Sequence, residues 1–99
     1  MPEMPEMNES TDAPAVRLRA LRFRAWHRGF RELDLILGQF ADRYAASLGE
    51  VELSAFEALL EANDTDVYHW IIGQSPVPSA HDTALMTRLQ RLDYLKQPS

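Results

Sequence analysis

From Phe30 to Tyr44 the apolar residues Phe30, Leu33, Leu37, Phe40, Ala41 and Tyr44 fall at helical spacing. That places them on one stripe of an α-helix, which must be buried against something. Glu32, Gln39 and Arg43 project from the opposite side. No segment alternates apolar and polar residues, and no Asn-Gly or Asp-Gly hairpin signal occurs. With 99 residues the chain is one domain near the lower end of what folds alone. The reading is all-α: a compact bundle of five short helices over residues 14–97, preceded by a disordered acidic tail over residues 1–13.

The remaining helices follow from local signals. The tail repeats Met-Pro-Glu and lacks apolar periodicity. Thr11 or Asp12 then caps a first helix that has Pro14 in its first turn and ends near Trp26. Its apolar set is Val16, Leu18, Leu21, Phe23 and Ala25. Gly29 breaks the pattern, as a residue free to take positive φ does at a helix corner. The second helix covers about 30–45. A third, capped by Gly49 or Ser47, covers about 50–61 and buries Leu53, Phe56, Leu59 and Leu60. Asp64 caps a fourth over 65–72, which brings Val67, Tyr68, Trp70 and Ile71 and stops at Gly73. Pro76 and Pro78 stiffen the connector. Ser79, with Asp82 three residues on, starts the last helix, whose stripe is Leu85, Leu89, Leu92 and Leu95. Short connections favour an antiparallel arrangement.

The inventory for catalysis is thin. The chain has no cysteine, so a thiolate zinc site, an Fe–S cluster and a disulfide framework are all ruled out. No serine lies in a Gly-x-Ser-x-Gly elbow, and the glycines form neither a dinucleotide loop nor a Walker loop. His27, His69 and His81 have no metal-ligand spacing. The expectation is a protein that is not an enzyme and binds no metal and no cofactor tightly. No apolar run reaches the roughly 20 residues of a membrane span, so no membrane insertion is expected. The acidic start resembles neither a secretory signal nor an Arg-rich presequence, which points to an intracellular, cytoplasmic protein.

Charge is distributed unevenly. Net charge is −5, yet residues 17–31 carry six arginines (Arg17, Arg19, Arg22, Arg24, Arg28, Arg31) and no acid. Residues 32–87 carry ten acids and only Arg43. Two readings stay open: a helix face whose arginines pair with the acidic remainder, or a surface for an anionic or acidic partner. Nucleic acid is the weaker partner, because the whole chain is acidic and carries no recognised DNA-binding pattern. A helical module for some other protein partner is a further alternative.

The most informative stretch is Arg28-Gly29-Phe30-Arg31-Glu32-Leu33-Asp34. Arg28 and Glu32 lie four apart and face each other if the helical turn continues across Gly29. Gly29 leaves the surface beside Arg28 bare, so that a partner's backbone can approach. Arg24 lies one turn before Arg28, which allows the two guanidinium groups to cluster. The plainer alternative is an ordinary surface ion pair at a helix corner, worth about 0.2–1 kcal/mol.

This stretch resembles the RGxxE segment of the SdhE family, small assembly factors for the flavoprotein subunit of succinate dehydrogenase. The likeness continues in register through Leu37-Gly38-Gln39-Phe40-Ala41-Asp42, Leu59-Leu60-Glu61 and Asp64-Thr65-Asp66-Val67-Tyr68-His69-Trp70-Ile71. It covers about residues 17–73. The resemblance implies a five-helix fold that binds the flavoprotein subunit and promotes covalent attachment of FAD to it, with the fumarate reductase flavoprotein a second client in some bacteria. The family has also carried an antitoxin label. The flavin bond would form on the client, between a client histidine and the isoalloxazine methyl carbon. The resemblance carries Arg28, Gly29 and Glu32 over as the client-contacting surface, with Phe30, Arg24 and Asp34 beside them. Phe30 departs from the methionine or threonine common at that position, and Asp34 is alternatively a tie between helices. Trp26 is read as core, with an exposed anchor as the alternative. Arg28→Ala, Gly29→Arg and Glu32→Ala are each expected to leave the bundle folded while abolishing flavinylation. A monomer is expected when no client is bound.

Overall fold

The computed structural model describes residues 3–95, with side chains from Ala13 onward. Five α-helices form it: α1 (Glu3–Trp26), α2 (Arg31–Tyr44), α3 (Glu50–Leu59), α4 (Asp64–Ile71) and α5 (Ala84–Arg91). Two 3₁₀ turns, Ala45–Ser47 and Ser79–His81, lie in the connections, and the described residues contain no strand. The core comes from all five helices: Leu21 and Ala25, then Leu33, Ile36, Leu37, Phe40 and Ala41, then Leu53, Phe56 and Leu59, then Val67 and Ile71, then Leu85, Met86 and Leu89. α1 packs mainly on α2, while α5 touches α2, α3 and α4 and closes the bundle. No helix among the described residues is long and apolar enough to cross a membrane.

The α1–α2 hairpin is drawn tight by one glycine. A Cβ on Gly38 would stand 2.2 Å from the Trp26 ring, so the indole lies directly on the α2 backbone. The Trp26 indole N–H then donates to Asp42 (3.2 Å), which also accepts from Arg22 Nε (3.2 Å). Trp26 is thus a half-buried packing residue with a satisfied polar edge.

Several element boundaries differ from the expected ones. The tail expected over residues 1–13 falls almost wholly outside the described side chains. The backbone is helical from Glu3, so α1 does not begin at Thr11 or Asp12, and Pro14 stands in its interior, not in its first turn. There a proline removes one backbone donor and the helix carries on through its neighbours. Val16 and Phe23 lie on the solvent side of α1, 49% and 65% exposed, because Leu18, Leu21 and Ala25 already fill the strip that meets α2. The residue capping α4 is Asn63, whose side chain accepts from the Asp66 N–H (3.1 Å); Asp64 is left free for another role.

The last helix is shorter than its leucine spacing suggests. Ser79–His81 is a separate 3₁₀ turn, and α5 starts at Ala84, capped by Thr83, whose hydroxyl accepts from the Met86 N–H (3.2 Å). It ends where Leu92 takes a left-handed conformation (φ 56°), so Leu92 and Leu95 are only half-buried. The turn carries Tyr94 into the core against Phe40 (centroids 5.0 Å apart), and its hydroxyl donates to the Leu89 carbonyl (2.8 Å).

Candidate functional site: the corner between the first two helices

α1 stops at Trp26 and α2 begins at Arg31, with Phe30 in extended conformation at the boundary (φ −148°). Gly29 makes the turn at φ +135°, a region L side chains rarely enter. The helical turn is therefore not continuous across Gly29, and the expected facing pair Arg28–Glu32 does not form. The Arg28 backbone N–H donates to the Asp34 carboxylate, which ties the linker to the first turns of α2. Asp34 thus acts as the interhelical tie that its position allowed.

The Arg28 side chain turns inward across the bundle. Its Nε and Nη2 both donate to Asp64 Oδ1 (3.0 and 2.8 Å), Nη2 also donates to the Leu60 carbonyl (2.8 Å), and Nη1 donates to the Arg24 carbonyl (3.2 Å). One guanidinium thereby satisfies a carbonyl at the end of α1 and another just after α3, and meets the acid that opens α4. Cations are favoured at helix C-termini and anions at N-termini, so both partners sit where the helix dipoles favour them. The Arg28 side chain is only 13% exposed. Gly29 is part of the same lock: a Cβ there would stand 3.3 Å from Asp64 Oδ2.

The other arginines divide into paired and free. Arg17 meets Glu57 through Nε and Nη2 (2.9 and 2.8 Å) and Glu50 through Nη1 and Nη2 (2.8 and 3.1 Å). Those hydrogen bonds hold both carboxyls below the usual carboxylate range and raise the Arg17 pKa. Arg22 pairs with Asp42, and Arg24 pairs with Glu61 beside the Arg28–Asp64 lock. The Arg24 and Arg28 guanidinium groups thus take separate acids on neighbouring turns. Four of the six arginines of residues 17–31 are held by the chain's own acids. The plainer reading of the basic run describes most of it.

What the corner leaves outside is small and defined. Arg31 and Glu32, in the first turn of α2, are exposed and make no hydrogen bond or ion pair with other described residues. Gly29 is exposed as well. Phe30 is half-buried and meets the Tyr68 ring edge-on (5.3 Å, 89°), so its main work is packing. Of the six expected contact residues, Gly29 and Glu32 reach the surface openly, Arg24 does so while paired, and Arg28, Asp34 and Phe30 build the corner from within. Asp64 and Leu60 belong to the site and were not expected there. The sequence signal for Asp64 was an acid beside an asparagine able to cap in its place. Two open grooves, of about 360 and 370 Å³, are lined by Gln39, Asp42, Arg43 and Tyr94 and by residues of α1, the Ala45–Ser47 turn and α3. Two wider grooves along α1, of about 530 and 430 Å³, reach Trp26 and His27 and Arg24 at the edge of the corner, and none of these four grooves is lined by residues 28–34.

Comparison with known proteins identifies the family. The family model Sdh5, described as flavinator of succinate dehydrogenase, matches residues 19–93. The chain belongs to this flavinator family. It is 36% identical over 78 residues to the FAD assembly factor SdhE of Acetobacter pasteurianus, covering 79% of this chain and 72% of that one. It is 35% identical over 63 residues to SdhE of Haemophilus ducreyi, covering 64% of this chain and 77% of that one. With the mitochondrial succinate dehydrogenase assembly factor 2 of Drosophila grimshawi it shares 31% identity over 93 residues, 92% of this chain but 62% of the fly protein. The matched span, residues 19–93, includes both the corner and Asp64.

Proposed function

We propose that this chain is an assembly factor that binds the flavoprotein subunit of succinate dehydrogenase and promotes covalent attachment of FAD to it. The observation that carries the reading is the corner itself: a bend locked from inside by Arg28, with Glu32 and Arg31 exposed beside a bare glycine, in a member of the flavinator family. The bond between flavin and histidine forms on the client, and the factor contributes no nucleophile. Its contribution is to select the client conformation in which histidine and flavin are aligned, which lowers the barrier by positioning. FAD is the client's cofactor. The proposed place of action is the cytoplasm. A nucleic-acid partner fits poorly, since four of the arginines that would contact phosphate are engaged within the fold.

The test uses a strain lacking the factor, complemented with Glu32→Ala or Glu32→Lys, with covalent flavin on the client read by in-gel fluorescence. Both variants fold as wild type does, because Glu32 is exposed and unpaired, and flavin labelling is expected to be lost. Full labelling with Glu32→Lys overturns the reading.

A further inference from the structure

We infer that Asp64 is the positioning residue of this site: its carboxylate keeps Arg28 turned into the bundle, so that Glu32 stays bare for the client. The inference rests on the reading of the corner as a docking face. It begins from a carboxylate with no local duty. Asn63 caps α4, so Asp64 is not needed for that. Its two oxygens are instead divided between neighbouring residues of the bend. Oδ1 takes two N–H donors of Arg28, and Oδ2 lies 3.3 Å from where a Cβ at position 29 would stand.

Electrostatics then decides where Arg28 goes. Facing inward it has one carboxylate and two carbonyls, those of Leu60 and Arg24. Only Asp64 among these carries the opposite charge. Without that charge a guanidinium so little exposed is uncompensated, and the nearest free acid in sequence is Glu32, four residues on. Arg28 would swing outward, pair with Glu32 and cover the face the client needs. Asp64 therefore acts through Arg28 and does not itself touch the client.

The experiment measures affinity for the purified flavoprotein subunit together with the melting temperature, for the full chain carrying Asp64→Asn, Asp64→Glu, Arg28→Lys or Asp42→Asn. Asp42→Asn is the control, because it weakens a tie of the same kind, to Arg22 and Trp26, that involves none of residues 28–34. Asp64→Asn is expected to weaken client binding by about tenfold or more, and Asp64→Glu to restore most of it. Asp42→Asn is expected to lower melting while leaving affinity within about twofold. Should Asp64→Asn fail to fold, Arg28→Lys carries the test: an ammonium cannot fork to the carboxylate and both carbonyls, and the same loss of affinity is expected. Equal losses in Asp42→Asn and Asp64→Asn would mean general loosening and overturn the inference. With Glu32→Lys measured alongside, unchanged affinity in Asp64→Asn or Arg28→Lys while Glu32→Lys abolishes binding would also overturn the inference, an outcome that leaves the docking reading intact. Unchanged binding by Glu32→Lys removes both.

Discussion

At the scale of single residues, Arg28, Gly29 and Glu32 turn out to do different jobs although they stand together in the chain. Glu32 is a surface group. Arg28 is a half-buried strut. Gly29 is a backbone solution, held at φ +135° with Asp64 pressed against it. Arg28→Ala and Gly29→Arg, expected to leave the bundle folded, should also lower its stability, because the first removes the donors to Asp64, Leu60 and the Arg24 carbonyl and the second puts a side chain at positive φ. Gly29→Ala should lower stability by about 2 kcal/mol, from an unfavourable φ and a close contact with a charged oxygen. Urea unfolding followed by circular dichroism measures it. A stability within about 0.5 kcal/mol of wild type would mean that the bend relaxes without cost. Glu32→Ala should fall within that margin, which makes it the cleaner probe of docking.

Among the elements, most of the helical plan could be read from spacing alone. The stripe from Leu33 to Ala41 is buried as the periodicity requires, and Leu53, Phe56, Leu59 and Leu60 are buried in or just after α3. What spacing could not show was where competing caps win. Ser79 and Asp82 look like a helix start, but the backbone makes only a 3₁₀ turn there, and Thr83 caps α5. Removing that hydroxyl with Thr83→Ala should cost about 1 kcal/mol, whereas Ser79→Ala should change little. Thermal melts of the two variants separate the assignments, and equal losses would count against Thr83. Similarly, Leu92 continues a leucine spacing that a left-handed turn interrupts, and Tyr94 takes the core place instead. The corner was legible as a motif but not as a geometry. That Arg28 meets Asp64, 36 positions away, depends on how α3 and α4 fold back, which no local pattern encodes.

For the whole molecule, charge is arranged so that an acidic chain holds its own basic segment. Arg17 keeps Glu50 and Glu57 below the usual carboxylate range. A depressed folded pKa stabilises the fold above the ordinary carboxylate value, about 4.3, and that contribution is lost as pH falls through the folded value. Wild type should therefore exceed Arg17→Met in stability near neutral pH, with the gap closing below about pH 4 and narrowing in high salt. Urea midpoints between pH 3 and pH 7 report this, and a gap independent of pH would contradict it. With four of the six arginines of residues 17–31 so engaged, the bend between α1 and α2 is the surface proposed for the partner. The most direct measurement is hydrogen–deuterium exchange of the full chain with and without the flavoprotein subunit. Slower exchange is expected at residues 28–34 when the client binds. Slowing confined to the outer faces of α3 and α5, with the bend exchanging as in the free chain, would contradict the account.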